Sequence, residues 1–120
     1  METWPPTLNG AILPWVELLR LEEGDTPAFF RLIGEIDLSN ARQLQARLQD
    51  ELRLAGRLTL DTSDLTFMDS QGLRMLIELG REAVERGTAL TVLNPSRQVK
   101  GLLAVAVPTG IPGVEVLEAD

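Results

Sequence analysis

Hydrophobic positions change their spacing several times along the chain, and each change marks a new element. From Trp15 to Glu22, and again from Ala28 to Ile36, apolar residues crowd on either side of Gly24-Asp25-Thr26-Pro27, a run of turn formers. This predicts two strands joined as a hairpin. Pro14 falls just before the first of them, where its missing N–H does least harm to a ladder. From Ser39 onward, Ala41, Leu44, Leu48 and Leu52 recur at helical spacing while Arg42, Gln45, Arg47, Gln49 and Asp50 fill the other faces. An amphipathic helix is expected there, with Ser39 as N-cap and Gly56 as its stop.

Leu58 and Leu60 alternate with polar neighbours from Arg57 to Asp61, which predicts a short third strand leading into a loop at Thr62-Ser63-Asp64. A second helix follows, with Leu73, Leu76, Ile77, Gly80, Ala83 and Val84 as its apolar stripe and Gly87 at its end. Thr88 to Leu93 reads as another strand and Asn94-Pro95 as a turn. Val99, Leu102, Leu103 and Ala106 form the inner face of a third helix stopped before Pro108, and Val114 to Leu117 suits a last edge strand. Residues 1–10, with Pro5, Pro6, Asn9 and Gly10, are expected to form a loose lead-in to a domain spanning 11–118.

Strands separated by helices of this length run parallel through right-handed crossovers, whereas the opening hairpin contributes an antiparallel pair. The expected fold class is therefore α/β: a single domain with a mixed, mostly parallel sheet and helices packed against it. At 120 residues such a chain buries about two thirds of its unfolded surface, enough for a core without staples.

Composition then narrows the chemistry. There is no cysteine and no histidine, which removes disulfides, thiolate nucleophiles, Ser-His-Asp triads and ordinary zinc sites. No cofactor or metal is expected. The net charge of −7 argues against nucleic acid or an anionic membrane as partner, since both are bound through Lys and Arg. Met1-Glu2-Thr3-Trp4-Pro5-Pro6 has neither a basic start nor a long apolar run, so a cytoplasmic protein is expected. Trp4 and Trp15 are read as packing residues.

The acids Glu35, Asp37, Asp61, Asp64 and Asp69 lie near strand ends in this reading, and loops after parallel strands emerge at one sheet edge. They are expected to share a face. Leu65-Thr66-Phe67-Met68-Asp69-Ser70-Gln71-Gly72-Leu73 is more unusual, because an apolar cluster runs straight into Asp-Ser at a helix start. Phe67 and Met68 would anchor the loop to the core, and Gly72 would allow close packing. Asp69 or Ser70 as an N-cap, worth about 1 kcal/mol, needs no function. The functional reading makes Ser70 an exposed hydroxyl at a helix N-terminus, a place that tolerates an added phosphate. Arg74, four residues on, is more simply a solvated helix arginine paired with Glu78 or Asp69.

The run Gly34-Glu35-Ile36-Asp37, then an amphipathic helix, then Leu65 to Leu73 resembles the anti-sigma factor antagonist branch of the STAS domain family. The resemblance extends in order over about residues 12 to 118, with Phe67-Met68-Asp69-Ser70-Gln71-Gly72-Leu73 as its most specific part. It implies a non-enzymatic partner-switching protein that regulates transcription. Unmodified, such a protein holds an anti-sigma factor that is itself an ATP-using serine kinase of the histidine-kinase-like type. Phosphorylated, it lets go, and a serine phosphatase would reset it. Carried onto this chain, the phosphoacceptor is Ser70, and the partner-binding residues are Asp37, Ser39, Asn40, Met68, Asp69, Ser70, Gln71 and Gly72. Gln71 departs from the small hydroxyl residue often found there, and Ala106 to Pro112 departs from the usual ending of the third helix.

Two other readings stand beside this one. A STAS scaffold, or a subunit of another signalling or transport assembly, would share the fold without a phosphate switch. A receiver-like phospho-Asp protein binding Mg²⁺ fits less well, because Lys100, the sole lysine, falls inside the third helix and not at a strand end.

Overall fold

A computed structural model describes residues 19–24, 26 and 28–118. In chain order the elements are β1 (Leu19–Glu23), β2 (Phe29–Ile36), α1 (Ala41–Ala55), β3 (Leu58–Met68), α2 (Ser70–Glu85), β4 (Leu90–Leu93), α3 (Arg97–Ala106) and β5 (Val114–Leu117). They form one five-stranded sheet in the order β1-β2-β3-β4-β5. β1 pairs antiparallel with β2, and each later neighbour is parallel. The mixed, mostly parallel sheet opened by a hairpin is thus present. Expectations placed on residues 1–18, including the lead-in, Trp4, Pro14 and Trp15, lie outside the described residues.

The core is aliphatic apart from Phe30 and the methionines. Phe30, Leu32 and Ile36 of β2 and Leu58, Leu60, Leu65 and Met68 of β3 meet Leu44, Leu48 and Leu52 of α1 and Met75, Leu76, Leu79 and Ala83 of α2 in one buried cluster. The α1 stripe is the one the spacing predicts, and Gly56 closes the helix at φ 76° with its N–H donated to Leu52 O. The α2 stripe is rotated from the expected one. Met75 and Leu79 are buried, Leu73 and Ile77 lie at its flank, and Val84 is exposed.

β3 is twice the expected length, and the loop expected at Thr62-Ser63-Asp64 is strand. Register explains it: β2 advances two residues, Arg31 to Ile33, while β3 advances three, Asp61 to Asp64. The extra residue is taken up as a bulge. Asp61 Oδ1 accepts from the amide and hydroxyl of Ser63, a local bond that reads as a turn in sequence. The extension carries β3 out to Met68, and α3 packs against it.

α1 and α2 are tied along their seam by two glutamates. Glu78 accepts from Gln45 Nε2 at 2.8 Å and pairs with Arg74 at 3.3 Å. Glu82 bridges Arg53 at 2.9 Å and Arg86 at 3.1 Å. The hydrogen bond from Gln45, aided by Arg74, holds the Glu78 carboxyl below its ordinary value of 4.5. Burial pushes Glu82 up, but the bonds from Arg53 and Arg86 outweigh it and leave this carboxyl lowered too. Folded-state values below the unfolded ones mean that the unfolded chain takes up more protons in acid. This contribution to stability is complete above about 4.5 and is lost as pH falls through the lowered folded values. Urea midpoints measured from about pH 6 to about pH 3 should fall, and Glu82→Gln should flatten that dependence.

Candidate functional site

The parallel pairing of β2 with β3 brings two chain segments together at one sheet edge. Ile36 stands opposite Met68 in the ladder, and Asp69 N donates to Ile36 O at 3.2 Å. The β2–α1 turn, with Asp37, Ser39 and Asn40, therefore lies beside the β3–α2 junction, with Met68, Asp69, Ser70, Gln71 and Gly72. Only part of the expected acidic face assembles. Asp37 and Asp69 share this edge, whereas Asp61 and Asp64 sit within β3, and Asp64 pairs with Arg31 at 3.6 Å.

The first turn is built around Asp37 and Asn40. Asp37 Oδ1 accepts from both the amide and the hydroxyl of Ser39. Ser39 is consequently not the N-cap of α1. That position belongs to Asn40, whose side chain caps nothing in the helix and instead spans the turn. Asn40 Oδ1 accepts from Asp37 N at 3.0 Å, and its Nδ2 donates to Glu35 O at 2.9 Å. The residue is fully buried. Asn40→Ala strands one backbone donor and one acceptor, which should cost about 2 kcal/mol of stability. Urea unfolding measures it, with Asn40→Asp, which keeps the acceptor, expected to fall between.

At the second segment, Asp69 is the N-cap of α2, with Oδ1 accepting from Gln71 N at 2.8 Å and Gly72 N at 3.3 Å. The alternative of Ser70 as cap is excluded by this geometry. Ser70 is the first helical residue, exposed, and its hydroxyl makes no hydrogen bond among the described residues. Gly72 has no room for a side chain: a Cβ there would strike Met68 Cγ and stand 3.1 Å from Ile36 Cγ2. Glycine thus lets the first turn of α2 rest directly on the ends of β2 and β3. Met68 is buried under it, as an anchor should be, but Phe67 is partly exposed and anchors less. Asn40, Met68 and Gly72 shape the surface from beneath, and Asp37, Ser39, Ser70 and Gln71 form it.

Sequence reasoning passed over two features. Leu38, at the crest of the first turn, is 76% exposed; a lone apolar residue between Asp37 and Ser39 was the available signal. A groove of about 240 Å³ also runs between α1 and α2, lined in part by Arg42, Gln45, Gln71, Arg74 and Glu78. Arg74 pairs with Glu78, the simpler of its expected roles. Lys100 lies within α3 and reaches Glu118 at 2.9 Å. The departing segment after α3 is accommodated by Val107 closing the helix and by Ile111 turning into the core.

The family model described as "Mlab, STAS domain" matches residues 19–110. The chain belongs to the STAS domain family. Among solved structures, this STAS domain is similar to the anti-sigma factor antagonist SpoIIAA in its unphosphorylated form, with a TM-score of 0.65 and 21% identity over 85% of this chain and 88% of that one. It is similar also to a Thermotoga maritima protein designated, without proof of function, an anti-sigma factor antagonist, with a TM-score of 0.67 and 19% identity over 84% and 86% of the two chains. At these identities the likeness is one of fold. Among the described residues, no helix is long and apolar enough to cross a membrane.

Proposed function

We propose that this STAS domain is an anti-sigma factor antagonist that switches partners through phosphate on Ser70. The observation that carries the reading is Ser70 itself: exposed, unbonded, at the first position of a helix, and set beside the Asp37 turn. Unmodified, the domain binds an anti-sigma factor of the histidine-kinase-like ATPase type in the cytoplasm through Asp37, Leu38, Ser39, Ser70 and Gln71. The chain itself is the substrate and catalyses nothing. The partner transfers the γ-phosphate of ATP to Ser70 Oγ, whose proton leaves as the new O–P bond forms, and ADP departs. Phosphate adds about two negative charges beside Asp37 and Asp69, and the complex separates. The fold tolerates this charge, because Ser70 is exposed at the first position of α2 and meets the positive end of the helix dipole.

Affinity capture from a lysate of the source cells tests the reading. The wild-type chain should retain a kinase-fold ATPase without ATP and lose it with ATP, whereas Ser70→Ala should retain it in both. Equal retention by both chains with ATP would contradict the proposal. The description of the matching family model as Mlab, not as an antagonist, supports a second reading. In that reading the chain is a STAS subunit of another assembly, and its complex is indifferent to ATP.

A further inference from the structure

We infer that Arg74 is the internal receptor for phosphate on Ser70, and that its capture transmits the modification to the groove between α1 and α2. Ser70, Arg74 and Glu78 are spaced four residues apart along α2, so each is a neighbour of the next on the helix surface. In the unmodified chain Arg74 Nε lies 3.3 Å from Glu78 Oε2, with the Arg74 side chain 71% exposed. That pair has its base N-terminal to its acid, the weaker of the two i,i+4 orientations. A phosphate on Ser70 reverses the order, placing the acid N-terminal to Arg74, and carries roughly twice the charge of a carboxylate. Both differences favour transfer of Arg74 from Glu78 to the phosphate.

The consequence reaches α1. Glu78 also accepts from Gln45 Nε2 at 2.8 Å, and both residues line the groove with Arg42, Gln71 and Arg74. When Arg74 leaves, Glu78 keeps Gln45 and the longer-range pull of Arg81 but loses its directly paired cation, and the groove becomes more negative. A partner touching both the Ser70 edge and this groove meets phosphate at one and a carboxylate stripped of its arginine pair at the other. Asp69 and Asp37 share the sheet edge with Ser70, and Arg42 of α1 lines the adjoining groove with Arg74 and Glu78 of α2.

This inference rests on Ser70 as phosphoacceptor, but its test needs neither kinase nor partner. Phosphoserine is placed at position 70 of the full chain by genetic encoding, and its second ionisation, near pH 6 in free phosphoserine, is followed by ³¹P NMR. Arg74→Gln should raise that ionisation by about half a pH unit, roughly a threefold change, and Glu78→Gln should lower it. Arg86→Gln, at the far end of α2, should leave it unchanged. The Gln45 side-chain amide resonance should shift on phosphorylation in the wild-type chain and not in Arg74→Gln. Phosphate titrations alike in the wild-type and Arg74→Gln chains overturn the inference, yet leave phosphate-dependent release intact. Failure to find a kinase leaves the titration result standing.

Discussion

Phosphoserine at position 70 should weaken binding of the captured kinase about 100-fold, and Ser70→Asp should reproduce part of that, about 10-fold. The difference follows from charge, since aspartate supplies one negative charge where phosphate supplies nearly two. Neither change should harm the fold. Ser70 is exposed at the first helical position, where a negative side chain meets the positive end of the helix and stabilises by about 0.3–1 kcal/mol. Titration calorimetry and urea unfolding on the same samples therefore give opposite signs: lost affinity with unchanged or slightly raised stability. Loss of both together would make the Ser70 effect a matter of unfolding.

Gly80→Val should destabilise the fold more than Asn40→Ala, by about 3 kcal/mol or more. Gly80 lies on the buried side of α2, where a Cβ would stand 2.5 Å from Pro112 O and 2.8 Å from Val114 Cγ2. Gly113, at φ 82°, faces it so closely that its own Cβ would run into the Gly80 carbonyl. The two glycines let α2 lie on the chain just before β5, and backbone on both sides leaves nothing that can move aside cheaply. Gly80→Ala should already be costly, and urea midpoints should order wild type above alanine above valine. The effect belongs to the scaffold: the Ser70 edge is at the other end of α2, so a variant that stays folded in mild conditions should still bind.

Sequence patterning reached the element order because each boundary here has a local cause. Gly56 ends α1 and the Pro108 region ends α3, and Val114 to Leu117 is strand as its alternation suggests. The misreadings also have causes. Thr62-Ser63-Asp64 has turn composition, yet Thr62 is buried with its hydroxyl turned to Leu93 O. What keeps it in the sheet is the slipped register with β2, a partner 30 to 32 residues away in the pairing that no local window contains. Arg47 was placed on the polar face of α1, but its guanidinium lies 5.5 Å from the Phe30 ring centroid, its stem covering apolar surface.

For the site, the Asp69–Ser70 helix start was legible because capping is short-range chemistry. The Asp37 turn was harder. Ser39 looked like the cap, and only the folded chain shows that Asp37 takes the Ser39 hydroxyl while Asn40 is spent on Glu35 and Asp37. The adjacency of the two segments comes from the parallel pairing of Ile36 with Met68, which topology supplies and composition does not. Leu38 escaped notice because exposure of an apolar residue cannot be read without the fold.

In the proposed switch one hydroxyl, Ser70 Oγ, receives phosphate from the partner it binds, and this ends the complex. The most direct measurement mixes the purified chain with its captured kinase, adds ATP, and follows complex and modification together. Trypsin releases Ser70 in the peptide Leu58 to Arg74, which also contains Ser63, Thr59, Thr62 and Thr66 as internal controls. Phosphate should appear on Ser70 alone, rising in step with dissociation, and neither event should occur with Ser70→Ala. A complex that persists in ATP with an unmodified Leu58 to Arg74 peptide would contradict the switch.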